Sequence, residues 1–133
     1  MRNLLSTKFH LVWQYFFAKR TRSIEGFLTI KEGRTLFKLA RNLPPGSKIL
    51  EVGSYKGRST VFLSLGIRLP SELYCIDTWL EPVAEFDPID NFNVFQKNIR
   101  DVQNRVIILR GKSASQEVIN RVPENLSLLF VKF

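Results

Sequence analysis

The spacing of apolar residues changes repeatedly along the chain, and the changes divide it into elements. Leu4, Leu5, Phe9, Val12, Trp13, Phe16 and Phe17 recur at helical spacing, with Arg2, Lys8, Lys19 and Arg20 around them, which predicts an amphipathic helix. A second helix carries Leu36, Leu39, Ala40 and Leu43 and is stopped by the turn "LPPGS". The short β-rich run "SKILEV" (47–52) follows as a strand, then a helix over 58–67 entered at Gly57, then a second strand in "LYCID" (73–77). Phe92, Phe95, Ile99 and Val102, spaced three, four and three apart, predict a crossover helix before a third strand, "RVIILR" (105–110). Val118, Ile119 and Val122 mark another helix, and "LSLLFVKF" (126–133) a fourth strand. Strands that alternate with helices and read as continuous apolar runs call for a parallel sheet covered on both faces, a three-layer α/β/α arrangement. "LEPVAEFDPID" (80–90), with two prolines and four acids, reads as an excursion loop. No internal repeat or low-complexity segment interrupts the pattern.

At 133 residues, with 44% hydrophobic and 24% charged residues, the chain has the size and composition of one globular domain with a real core. Its longest apolar runs ("YFFA", "VIIL", "LLFV") fall far short of the roughly 18 residues that span a bilayer. Lys8, His10 and Gln14 break up the apolar core that a signal peptide would need. The single cysteine, Cys75, excludes an intramolecular disulfide and suits a reducing cytoplasm, which is the expected location. The net charge of +8 is unevenly placed: residues 1–41 hold nine Lys/Arg against Glu25 and Glu32, whereas residues 42–133 hold eleven against ten acids. The basicity is concentrated toward the N-terminus, which includes a leader, residues 1–23, set before a domain over 24–133. That leader fits a helix packed on the domain or on a second subunit, or one lying in a membrane interface through residues 1–22. No recognition motif supports nucleic acid, and none is expected as a partner.

The candidate chemistry sits in "KILEVGSYKGRST" (48–60), behind the first strand. Ligands of open α/β sheets bind outside the carboxyl ends of strands, where glycines permit tight turns and a following helix directs its first N–H groups. A phosphate-gripping P-loop requires four residues between its glycines and then Lys; here three separate Gly53 from Gly57 and Arg58 follows. The dinucleotide fingerprint requires a glycine where Tyr55 stands.

"EVGSYKGRST" resembles motif I of class I S-adenosylmethionine-dependent methyltransferases, acid-x-Gly-x-x-x-Gly. Asp77, closing the second strand in "CIDTW", matches the family's carboxylate for the ribose hydroxyls, and "LRGKSAS" (109–115) matches the segment beside the adenine. With "IEGFLTIKEGRTLFKLA" ahead of motif I, the resemblance is to the subgroup of small-molecule and sugar O-methyltransferases, over residues 24–131. It implies a Rossmann-like fold with strand order 3-2-1-4, S-adenosyl-L-methionine as cofactor, and a small-molecule or glycan hydroxyl as methyl acceptor. Carried over by position, Glu51 takes the amino or ribose end of the cofactor. Gly53, Ser54 and Tyr55 form the turn under its methionine part, and Gly57 gives close approach. Ser59 and Thr60 cap the helix and bond the cofactor carboxylate. Asp77 binds the ribose diol beside Thr78 and Trp79, with Trp79 either covering the adenine or anchoring the loop at the surface. Ser113 and Ala114 line the adenine edge.

The sequence also departs from the family. The resembled subgroup has seven strands and ends its fourth in an acid, typically within "DGDH"; here that strand reads "LLFVKF", with Lys132 in the acid's place. The expectation is a sheet cut off after strand four, whose apolar edge at 126–133 invites another copy or a partner chain. The chain then reads either as a methyltransferase or as a non-catalytic cofactor-binding module that a partner completes. No metal set is expected: His10 reads as helix surface, and Glu81, Glu85, Asp87 and Asp90 lack calcium-loop spacing. Lys56 and Arg58 read as solvated loop charges, and no catalytic residue is named.

Overall fold

A computed structural model of the protein describes Phe16 and residues 19–132. Its elements are α1 (Ile30–Arg41), β1 (Lys48–Val52), α2 (Arg58–Gly66), β2 (Glu72–Asp77), β3 (Leu80–Val83), β4 (Phe86–Asp90), α3 (Phe92–Asn98), a 3₁₀ turn (Gln103–Arg105), β5 (Val106–Arg110), α4 (Gln116–Ile119) and β6 (Leu128–Val131). Four strands form one parallel sheet in the order β5-β2-β1-β6, which is the expected 3-2-1-4 arrangement. The chain steps outward from β1 through β2 to β5 and then returns to the far side of β1. The order therefore reverses beside β1, and a crevice opens at the carboxyl ends of the strands there.

The side-chain alternation of the strands sorts the core onto two faces. Ile49, Leu73 and Cys75 face the larger cluster, built with Leu36 and Ala40 of α1, Val61, Phe62 and Leu63 of α2, and Phe95 of α3. Leu50, Ile76 and Leu109 face a smaller cluster with Val118 of α4. Helices α1 and α2 approach closely because glycines make room: a Cβ on Gly33 would stand 2.2 Å from the Phe62 ring, and one on Gly66 2.5 Å from the Phe37 carbonyl oxygen. Leu39, expected on the apolar stripe of α1, is exposed, because that stripe is filled by Gly33, Leu36 and Ala40.

Helix α1 begins in a capping box: the Thr29 hydroxyl accepts from the Glu32 amide at 3.1 Å and the Glu32 carboxylate accepts from the Thr29 amide at 3.0 Å. Thr29→Ala frees one of these amides and is expected to lower stability by about 1 kcal/mol, read as a shift in urea midpoint at unchanged slope.

The segment 80–90 corrects the expected loop. It is a two-stranded antiparallel hairpin, β3 against β4, with Leu80 opposite Asp90 and Val83 opposite Phe86. Prolines 82 and 88 hid it in the sequence, yet each strand of a lone pair has an unpaired side on which a proline lacks no needed donor.

At the other end of the main sheet, β6 pairs only with β1 among the described residues, and Leu129 and Val131 are exposed. The leader read over 1–23 falls largely outside the described residues. Of its end, Thr21 is buried and Arg20 donates to Asp101 Oδ2 at 2.9 Å and to the Asn98 carbonyl at 2.7 Å. Among the described residues no helix is long and apolar enough to cross a membrane.

Candidate functional site

The loop from β1 into α2 is shaped by three left-handed residues: Gly53 (φ 89°), Tyr55 (φ 49°) and Gly57 (φ 93°). Glycine is needed at 53 on two counts. Its backbone angle is unfavourable for a side chain, and a Cβ there would stand 2.4 Å from the Lys132 carbonyl oxygen at the end of β6. At 57 a Cβ would meet Ile99 Cγ2 at 3.0 Å and Phe95 at 3.2 Å. Both close approaches are made by the protein itself.

Beneath the loop lies Glu51, with no exposed surface. Its carboxylate accepts from the Ser54 hydroxyl at 3.0 Å, the Thr60 hydroxyl at 2.6 Å, the Ser59 hydroxyl and the Cys75 thiol at 3.4 Å. Burial raises its pKa, against the lowering effect of these hydrogen bonds. Burial and the neighbouring Glu51 likewise push the Cys75 thiol well above its ordinary range, so it is an inert member of the core. Glu51, Ser54, Ser59 and Thr60, four residues expected against the cofactor, thus turn toward one another below the surface. Helix α2 takes Gly57 as its N-cap, with no side-chain cap.

Asp77, at the carboxyl end of β2, is held by two amides: Tyr55 N–H donates to Oδ2 at 2.8 Å and Trp79 N–H to Oδ1 at 2.9 Å. Both donors belong to non-glycine residues at positive φ, 49° and 56°. Such backbones cost on the order of 1 kcal/mol each, which the charge-assisted bonds to the carboxylate offset. Each carboxylate oxygen keeps acceptor capacity for a further donor.

Two cavities meet at this residue. One, of about 310 Å³, is walled by Val52, Gly53, Ile76, Asp77, Thr78 and the 111–114 turn with Ser113 and Ala114. The other, of about 480 Å³, is walled by Gly53, Tyr55, Asp77, Trp79, Leu80, Glu81, Pro82, Asn91, Lys132, Glu25 and Phe27. Gly53 and Asp77 belong to both walls, so the cavities adjoin across the ends of β1 and β2. The structure therefore brings Gly53, Tyr55, Asp77, Thr78, Trp79, Ser113 and Ala114 to one groove and leaves Glu51, Ser54, Gly57, Ser59 and Thr60 beneath it. Trp79 is 2% exposed and wedged against Phe92 and Phe95, with ring centroids 5.1 and 4.6 Å away, so it is not a surface anchor. Its indole Nε1 is buried, with no hydrogen-bond partner among the described residues.

Several residues of the groove carried no sequence signal. Asn91 is buried where the hairpin closes: its amide donates to the Trp79 carbonyl at 2.7 Å and its Nδ2 to Glu81 Oε2 at 3.0 Å. Only the hairpin register reveals this. The loop cations are committed to the preceding segment, Lys56 Nζ to Glu25 at 2.6 Å and Arg58 Nη1 to the Ile24 carbonyl at 3.2 Å. They bring Glu25 and Phe27 to the rim.

The fold is shared with solved methyltransferases. An S-adenosylhomocysteine-bound methyltransferase from Podospora anserina aligns at a TM-score of 0.66 and 16% identity, over 100% of this chain and 60% of its own. The O-methyltransferase from Bacillus cereus, in complex with S-adenosylhomocysteine, gives 0.61 and 18% over 90% and 53%. An O-methyltransferase of Streptomyces achromogenes involved in tomaymycin synthesis, in complex with S-adenosylmethionine, gives 0.61 and 20% over 90% and 52%. At such identities it is the fold that is shared, a Rossmann-like α/β/α domain. The chain spans between 52% and 60% of the length of these structures. No protein-family model matches it, and no curated protein matches it in sequence.

Proposed function

We propose that the chain binds S-adenosyl-L-methionine and supplies the cofactor-binding part of an O-methyltransferase acting on a hydroxyl of a small molecule or glycan. The observation that carries this reading is Asp77, a carboxylate fixed by two amides at a strand end where two cavities meet. An acid so held has acceptor capacity for the two donors of a vicinal diol, so the donor set fits the ribose of the cofactor. The buried indole N–H of Trp79, unpartnered among the described residues and beside the larger cavity, fits a ligand that brings an acceptor.

In this reading Asp77 holds the ribose, Thr78, Ser113 and Ala114 border the adenine, and Gly53 and Tyr55 wall the amino-acid end. Glu51 acts from below: it holds Ser54, Ser59 and Thr60, and with them the loop and the first turn of α2. When bound, the cofactor supplies a methyl group on a sulfonium, which an oxygen nucleophile displaces in line. The O-methyltransferase neighbours support the hydroxyl acceptor.

Calorimetric titration of the full chain with S-adenosylhomocysteine is expected to show saturable one-to-one binding. Ligand at about 100 times its Kd is expected to raise stability by about 2.7 kcal/mol. Absence of both the heat and the thermal shift at millimolar ligand would overturn the reading.

A further inference from the structure

The larger cavity has an unusual balance of charge. Of its three carboxylates, Glu25 is paired with Lys56 at 2.6 Å and Asp77 is engaged by the Tyr55 and Trp79 amides. Glu81 uses only Oε2, which accepts from Asn91 Nδ2 at 3.0 Å and from the Tyr55 hydroxyl at 3.4 Å; Oε1 has no partner among the described residues. These two donors fix the carboxylate in place on the hairpin strand β3. The same cavity is lined by Lys132, at the end of β6, which forms no ion pair among the described residues. Its backbone is pinned, its amide donating to the Val52 carbonyl at 2.9 Å and its carbonyl oxygen closing on Gly53. The cavity thus offers one anion and one cation that form no ion pair among the described residues, the anion with Oε1 still open.

A surface with one free charge of each sign is complementary to a zwitterion. Resting on the reading above, with the ribose on Asp77 and the base beside Ser113, the group attached at the other end of the ribose passes Gly53 into this cavity. In the proposed cofactor that group is an α-amino acid. We propose that Glu81 and Lys132 recognise the amino-acid end of the cofactor, Glu81 taking the α-ammonium and Lys132 the α-carboxylate. Both are specificity residues that the motif loop does not contain. Lys132 stands where the resembled subgroup has an acid, and its positive charge makes the end of the fourth strand suited to a carboxylate.

The test uses two matched ligand pairs on the full chain. S-adenosylhomocysteine and 5′-methylthioadenosine share the nucleoside and thioether and differ in the amino-acid end. S-adenosylmethionine and its decarboxylated form share the sulfonium and differ only in the carboxylate. The wild-type chain is expected to bind the first member of each pair at least about 10-fold more tightly, the effect of one charge-assisted hydrogen bond. Glu81→Gln is expected to weaken S-adenosylhomocysteine about 10-fold and to leave methylthioadenosine unchanged. Lys132→Met is expected to weaken S-adenosylmethionine about 10-fold and to leave the decarboxylated form unchanged. Both side chains are replaced at similar size, and unfolding curves of the two variants check that the fold persists. Equal wild-type affinity within the pairs overturns the proposal while the cofactor reading stands. Variants that weaken both members of a pair alike, or neither, overturn it too; neither is the result if the cavity serves the methyl acceptor. If the wild-type chain binds none of the four ligands, the cofactor reading itself fails.

Discussion

Glu51→Ala is expected to lower the free energy of unfolding by roughly 3–5 kcal/mol, from a cavity in the larger core and from buried hydroxyls left without their acceptor. Ser54, Ser59 and Thr60 all donate to this carboxylate and all are buried, so none can turn to water without opening the loop. Equilibrium urea unfolding measures the loss, and a change below about 1 kcal/mol would show that the hydroxyls find other acceptors. The pH dependence gives a second, signed test through Glu51→Gln, which keeps the shape and removes the titration. Burial raises the pKa of Glu51 above its ordinary value of 4.5, so the folded protein holds this proton more tightly than the unfolded chain does. Stability contributed by the protonated acid is therefore present at and below the ordinary value and is lost as pH rises from there through the raised folded value. The stability of wild type minus that of Glu51→Gln is expected to fall as pH rises above the ordinary value of 4.5. A difference that grows with pH would mean that the hydroxyl bonds outweigh burial.

Glu51 also marks how far the sequence could be read. The parallel sheet and nearly every element of the domain were legible, because apolar runs alternating with helical spacing leave few ways to bury both; the strand order came from the family resemblance. Topology gave the carboxyl ends of the strands as the site, and the family resemblance named Gly53, Asp77, Thr78, Ser113 and Ala114 within it. Less visible was the direction of each side chain. Glu51 lies on the same strand face as Ile49, two residues before it, so it enters the core, and Ser59 and Thr60 follow it there. A motif alone does not separate residues that touch a ligand from residues that hold the loop that does. The hairpin was hidden for another reason: prolines and acids lower strand propensity, and only the pairing of Leu80 with Asp90 reveals what they form. With it were hidden Asn91 and the fixed orientation of Glu81.

Asp77→Ala is expected to weaken S-adenosylhomocysteine binding about 100-fold, since it removes two charge-assisted hydrogen bonds proposed for the ribose. Part of any such loss could come from the loop, because the same carboxylate anchors the Tyr55 and Trp79 amides at their positive φ angles. Without it those backbones are free to relax, and stability is expected to drop by about 1–3 kcal/mol. The two contributions separate when the ligand is changed along with the protein. Wild type is expected to prefer adenosine to 2′,3′-dideoxyadenosine at least about 10-fold, as one charge-assisted bond to the diol requires. If Asp77 reads the diol, Asp77→Ala abolishes that preference whatever happens to absolute affinity. If Asp77 only props the loop, the variant binds both nucleosides more weakly and keeps the preference. Asp77→Asn is no conservative control, because its Nδ2 faces an amide N–H, donor against donor, where the carboxylate offered an acceptor on each side. Its expected behaviour is therefore close to that of alanine, and wild-type-like binding in Asp77→Asn would show that the negative charge at the end of β2 is not what holds the ribose.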